Sequence, residues 1–148
     1  MTMMLTRIVG VFLLGACLMA SACAPGRSAA DSSSMVGRSH KGQPIEATTY
    51  GRGPVRVYLI GSIHGDESEG RAALADITRE LQRSTGGASI RLVADMNPDG
   101  SDASTRTNGS GVDLNRNWPA KNFRPAKGRG GSPLSEPESA SVHTDIVT

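Results

Sequence analysis

The sequence predicts an α/β domain, and three observations carry that expectation. Val55, Val57, Leu59 and Ile60 form an apolar run that reads as a buried strand and then hands over, through a polar tetrad, to a helical pattern. Leu74, Ile77 and Leu81 come next at helical spacing, with Ala73 beside them. A second apolar run, Ile90 to Met96, stops at the turn signal Asn97-Pro98-Asp99-Gly100.

Length and composition set the outer bounds. A chain of 148 residues leaves room for one domain at most. A net charge of +2 is too small to argue for nucleic acid or an anionic membrane surface. Aromatics at 3% and hydrophobics at 37% are low for a dense core, and part of that apolar content lies in the first 23 residues.

Residues 1–23 read as a secretory signal. Arg7 supplies the charged start, and Ile8 to Met19 is an apolar run too short to span a bilayer. Ala20-Ser21-Ala22-Cys23 resembles a bacterial lipobox with Cys23 as the lipidated residue. Cleavage after Ala-x-Ala, a second lipobox-like stretch ending at Cys17, and an uncleaved anchor are the alternatives. Both cysteines lie in this stretch, so the mature domain is expected to hold no disulfide. Residues 24–36 are mostly Ser, Ala and Gly, a composition expected to form a flexible tether. The domain is expected to run over 37–148.

Within it, Ile45 to Tyr50 and Val55 to Ile60 flank Gly51-Arg52-Gly53-Pro54, which suggests a hairpin. His40, in a polar stretch, is expected to be solvated. Asp66, Glu67 and Glu69 load the start of the next helix with acid, and Arg79 and Arg83 load its end, complementing the helix dipole before Gly86-Gly87 ends it. Residues 101–111 read as a solvated loop. Lys121 to Arg129 is basic and interrupted by Gly and Pro; with Phe123 as its one aromatic it reads as a mobile loop near a cleft rather than a nucleic-acid patch. Ser135-Glu136-Pro137-Glu138 has the form of a capping box opening a helix of about two turns.

His64 and Glu67 stand where ligands bind in open α/β sheets, just past the carboxyl end of a strand. Imidazole and carboxylate three residues apart can grip one divalent ion, and zinc accepts both ligand types. Alone the pair is a weak signal. It gains weight from the motifs later in the chain, which come in the order Asn97-Pro98-Asp99-Gly100, Arg106-Thr107-Asn108, and Gly111-Val112-Asp113-Leu114-Asn115-Arg116-Asn117. With the flanks Gly37 to Ile45 and Ser135 to Glu138, this series resembles the zinc metallocarboxypeptidase family. It looks most similar to the bacterial branch that includes murein tripeptide amidases. The resemblance covers roughly residues 36 to 140.

The resemblance implies a mixed sheet flanked by helices, truncated after roughly the first half of the family domain. It implies Zn2+ as cofactor, with His64 and Glu67 as two of three ligands. It further implies that Arg106 stabilises the oxyanion, that Asn115 and Arg116 clamp the substrate's terminal carboxylate, and that Asp113 orients the His64 imidazole. A fixed guanidinium suits the first task because it favours charge that appears only in the transition state. A guanidinium fork suits the second because it holds a carboxylate bidentately. The family's third ligand, a histidine on a later strand, and its general-base glutamate have no match up to Thr148. His143 could be nominated as ligand by spacing, but it falls inside the expected helix, where a solvated residue is the default.

The expected activity is therefore zinc-dependent hydrolysis of peptides with a free carboxylate, cell-wall peptides among them, weak or absent in this chain. The alternatives are a non-catalytic remnant that still binds carboxylates, and a deacylase of N-acyl amino acids. A monomer exported to the cell envelope or periplasm is expected, touching the membrane only through a lipid at Cys23. Metabolic labelling with a fatty-acid probe should mark the wild type and not Cys23→Ser; equal labelling of both would refute lipidation there.

Overall fold

The structure, a computed structural model, describes residues 30–148. The signal stretch, Cys17, Cys23 and the start of the expected tether lie outside the described residues. Four strands, β1 (Ala30–Arg38), β2 (Pro44–Tyr50), β3 (Val55–Ile60) and β4 (Ala88–Val93), form one sheet in the order β1-β2-β4-β3. β1 and β2 are antiparallel, as are β2 and β4, while β3 runs parallel to β4, so the sheet is mixed. The helices are α1 (Ser68–Leu81), the short α2 (Pro98–Ala103) and α3 (Pro137–Val147). Among the described residues no helix is long and apolar enough to cross a membrane.

Several local expectations give way here. The tether expected over 24–36 is a strand from Ala30 onward. A ladder is held by backbone groups, which a Ser-rich segment has in full measure, and a polar strand suits an outer edge. Val36 packs against the core and Gly37 lies hard against α3, where a Cβ would come within 2.2 Å of Ser141 Oγ. The expected hairpin of β2 and β3 is absent because β4 lies between them. The Gly51–Pro54 link instead passes over the turn before β4, so close that a Cβ on Gly53 would sit 1.4 Å from the Gly87 carbonyl oxygen. β3, α1 and β4 thus make a parallel crossover unit.

Each face of the sheet carries its own core. On one, Ile45, Ala47 and Val93 pack with Met96, Leu114 and Val142 of α3. On the other, Tyr50 and Leu92 meet Leu81 and the half-buried Leu74 of α1. Ile77, placed in that stripe by its spacing, is 40% exposed. The expected capping box is also rearranged. Helix α3 starts at Pro137 with Glu136 as its cap and without a side-chain capping bond, while Ser135 Oγ donates to Glu136 Oε1 at 3.0 Å. The helix runs 11 residues, about three turns. Asn97, expected in a plain turn, caps α2 by accepting from the Gly100 amide at 3.0 Å.

One ion pair fastens α3 across the sheet. Arg91 on β4 donates through Nε and Nη2 to the Asp145 carboxylate at 2.6 and 2.7 Å, and Tyr58, its register partner on β3, donates its hydroxyl at 2.6 Å. Arg91 also reaches Thr49 on β2 and Ser34 on β1, so this one side chain ties three strands to α3. The Arg91 bond holds Asp145 below the usual carboxylate range against the opposing effect of burial. Burial, reinforced by Asp145, pushes the Tyr58 phenol well up.

Asp145→Asn should therefore cost about 1.5–3 kcal/mol at neutral pH, the range for a hydrogen bond to a charged group. Because the native carboxyl lies below its unfolded value, this contribution is full above the ordinary carboxylate range and fades as pH falls through the native value. Urea midpoints at neutral and acid pH test it: wild type and variant should converge in acid.

Candidate active site

The turn after β3 is pinned on both sides. The Gly61 amide donates to the Val93 carbonyl at 2.8 Å, and the Met96 amide donates back to Gly61 at 3.0 Å. Asn97, fully buried, donates its side-chain amide to the Ile63 carbonyl at 3.2 Å. Gly65 then lies on α2 so closely that a Cβ would come within 1.9 Å of the Gly100 carbonyl carbon. Ser62 occupies the left-handed region at φ 49°, and its buried hydroxyl has no partner among the described residues. Such a conformation persists only where its surroundings enforce it. Here they deliver His64 to the end of the sheet.

His64 is 7% exposed and stands between two carboxylates. Its Nδ1 lies 2.8 Å from Glu67 Oε1 and its Nε2 lies 3.1 Å from Asp113 Oδ1. Arg106 Nε donates to Asp113 Oδ2 at 3.1 Å, and its Nη1 is 3.8 Å from Glu67 Oε1. Burial pushes the Asp113 carboxyl up, but the bonds from His64 and Arg106 outweigh it and hold the group below its ordinary value. The structure thus brings His64, Glu67, Arg106 and Asp113 into one cluster across 49 residues of sequence.

The donor set suits a cation. A neutral imidazole carries one N–H, so an imidazole facing two carboxylates leaves one contact between acceptors unless a cation lies at it. With Nε2–H donated to Asp113, the Nδ1 lone pair and the outward-facing Glu67 carboxylate share one open side of the cluster. Among the described residues no group of three or more His, Cys, Asp or Glu side chains gathers as a metal site. His143 packs its ring against Trp118, centroids 6.3 Å apart, and is half-buried rather than solvated. His40 is exposed, yet its backbone amide donates to Glu138 at 2.8 Å.

Asp113 also joins this cluster to the next one. Its Oδ1 accepts from the Asn115 amide at 3.0 Å, capping the single turn Leu114–Arg116. Asn115 and Arg116 are exposed on that turn and line a cleft of about 380 Å³ with Trp118, Phe123, Arg124 and Arg129. The 121–129 segment does line a cleft, but its far end is tied down: the Asp113 amide donates to Gly128 at 2.8 Å and Ala126 pairs with Gly130.

The residues that hold this arrangement were missed by sequence reasoning. Asn117 is fully buried; its amide donates to Arg129 O, Ser132 O and Ser135 Oγ, and its carbonyl oxygen accepts from the Glu136 amide and Ser139 Oγ. Asn108, in the segment read as a solvated loop, is 4% exposed and donates to both Glu136 and Glu138 at 3.0 Å. Burial pushes Glu136 up, yet bonds from Ser110, Asn108 and Ser135 prevail and hold it below its usual range. Asp99, 2% exposed, accepts from Ser39, the Lys41 amide and Gln43. An asparagine or acid in a polar stretch looks solvated; only the order of motifs hinted otherwise.

Known proteins share the fold. The zinc carboxypeptidase family profile matches residues 28–146. Murein peptide amidase A of Escherichia coli K12 is 34% identical over 93 residues, which cover 60% of this chain and 34% of that protein. This chain therefore spans about a third of that relative's length. The crystal structure of murein-tripeptide amidase from Escherichia coli O157 superposes with a TM-score of 0.63 at 28% identity, covering 82% of this chain and 58% of that one. Thrombin-activatable fibrinolysis inhibitor shares the fold, with a TM-score of 0.70 at 20% identity over 78% of this chain and 38% of that one.

Asn117→Ala would strand several buried polar groups at once. It should lower stability by roughly 2–4 kcal/mol, taking about 1–3 kcal/mol for each unsatisfied group and partial relaxation. Thermal or urea unfolding measures this, and a loss below about 1 kcal/mol, the worth of a single ordinary hydrogen bond, would contradict the role given to it.

Proposed function

The chain belongs to the zinc carboxypeptidase family, and on that premise we propose that it is the amino-terminal part of an exported, zinc-dependent hydrolase of peptides bearing a free carboxylate, cell-wall peptides among them. The observation that carries this reading is His64 held between Glu67 and Asp113 beside the turn that bears Asn115 and Arg116. His64 Nδ1 and Glu67 would hold the zinc, which when bound supplies Lewis acidity and an activated water. Asp113 fixes the ring by accepting from Nε2, the usual partner of a metal-binding imidazole. Arg106, half-exposed and anchored on Asp113, turns a guanidinium toward the same opening, where developing oxyanion charge would be stabilised. Asn115 and Arg116 grip the terminal carboxylate and so place the scissile bond near the cluster. Lipid attachment at Cys23 would hold the domain at the cell envelope.

A second reading, carboxylate binding without turnover, is favoured by one observation. Catalytic zinc has three protein ligands, and the described residues offer two in position. The 148-residue chain should accordingly hold zinc loosely and hydrolyse peptides negligibly, whereas a chain extended by a relative's carboxy-terminal part should do both. Metal analysis after dialysis, with release of a carboxy-terminal residue from peptide and murein-peptide substrates, decides. Tight one-to-one zinc and turnover that His64→Ala abolishes in the 148-residue chain would overturn the second reading; an extended chain in which His64→Ala changes neither would overturn the first.

A further inference from the structure

The cleft beside the candidate site holds more positive charge than one terminal carboxylate requires. Arg116, Arg124 and Arg129 all line it, and none of its lining residues is acidic. Elsewhere Arg79, Arg83, Arg91 and Arg106 each pair with a carboxylate. The three cleft arginines pair with none among the described residues. Arg116 makes one long contact to the Asn115 carbonyl at 3.4 Å, and Arg124 donates to the carbonyls of Phe123 at 2.7 Å and Lys121 at 3.5 Å. Like charges gathered in one concavity repel one another, and a concavity focuses their field on whatever anion enters.

The loop that carries two of them is built onto the site. Gly128 accepts from the Asp113 amide at 2.8 Å, and the Arg129 carbonyl accepts from Asn117 at 2.9 Å. Arg129 is therefore placed by the same two residues that place His64 and α3. Trp118 and Phe123 supply apolar walls between the charges.

We propose that Arg124 and Arg129 form a second carboxylate subsite beside Arg116, which selects peptides carrying at least one carboxylate besides the terminal one. This rests on the proposed role of Arg116 as the terminal-carboxylate clamp. A peptide with a single carboxylate occupies Arg116 and leaves the other two guanidiniums unneutralised. A peptide with an acidic side chain near its end neutralises them as well, and the advantage shrinks as salt screens these exposed groups.

The test is titration calorimetry on the 148-residue chain at low and high salt, with acetyl-Ala-Ala, acetyl-Glu-Ala and acetyl-Glu-Glu, and inorganic phosphate as competitor. Each added carboxylate should tighten binding about tenfold at low salt, the equivalent of one charge-assisted hydrogen bond. Arg124→Gln combined with Arg129→Gln should erase that preference, weakening acetyl-Glu-Glu far more than acetyl-Ala-Ala, and the Arg→Lys pair should keep part of it. Equal affinities for the three peptides in the wild type, or a preference that survives in the double glutamine variant, would overturn the subsite alone. Phosphate displacing acetyl-Ala-Ala and acetyl-Glu-Glu equally well would also overturn it, marking a general anion site. If Arg116→Gln changes none of the affinities, the clamp falls and the subsite falls with it.

Discussion

The carboxamide of Asn117 is the contact on which the second half of this molecule depends. The segment from 104 to 136 contains no long helix or strand, so its backbone must find partners one by one. Asn117 gathers the ends of three stretches, at Arg129, Ser132 and the Ser135–Ser139 helix start, onto one side chain. Asn108 and the buried acids Glu136 and Glu138 do the same for the loop before it. Remove the central amide and its neighbours lose their partners together, which is why such a network is worth more than its separate bonds.

The candidate site inherits that rigidity. Asp113 meets His64 with one oxygen and Arg106 with the other, and its own backbone is tied to Gly128. The orientation of the imidazole is thus set by a loop that Asn117 holds. Charge is distributed by the same logic. Buried acids accept from backbone amides and side-chain amides, while the exposed arginines of the cleft pair with no carboxylate among the described residues.

Much of the layout of the candidate site was legible in the chain itself. The handover from an apolar run to His64-Gly65-Asp66-Glu67, and the later Asp113-Leu114-Asn115-Arg116-Asn117, are local patterns whose spacing carries their meaning. The start of α1 after Glu67 and the opening of α3 at Pro137 are local as well, because propensity and chain stereochemistry act over a few residues, whereas α1 ends at Leu81, short of Arg83 and the expected stop at Gly86-Gly87. Less legible were features that depend on a distant partner. Residues 30–36 look like a tether until β2 offers its edge, and Asn108 looks solvated until Glu136 and Glu138 close over it.

By itself, then, the sequence determined the types of β2, β3, α1, β4 and α3, the residues that gather in the candidate cluster and the family resemblance. Tertiary structure alone decided that β4 enters between β2 and β3, that Ile77 faces outward, and that Ser135 serves Asn117 rather than the helix cap. It also decided which of the many polar side chains are buried. The physical reason is the same throughout: a strand's neighbours and a polar group's partners are chosen by long-range pairing, in which every buried donor and acceptor must be matched at once. Composition along the chain carries no record of which residue, dozens of positions away, supplies the match.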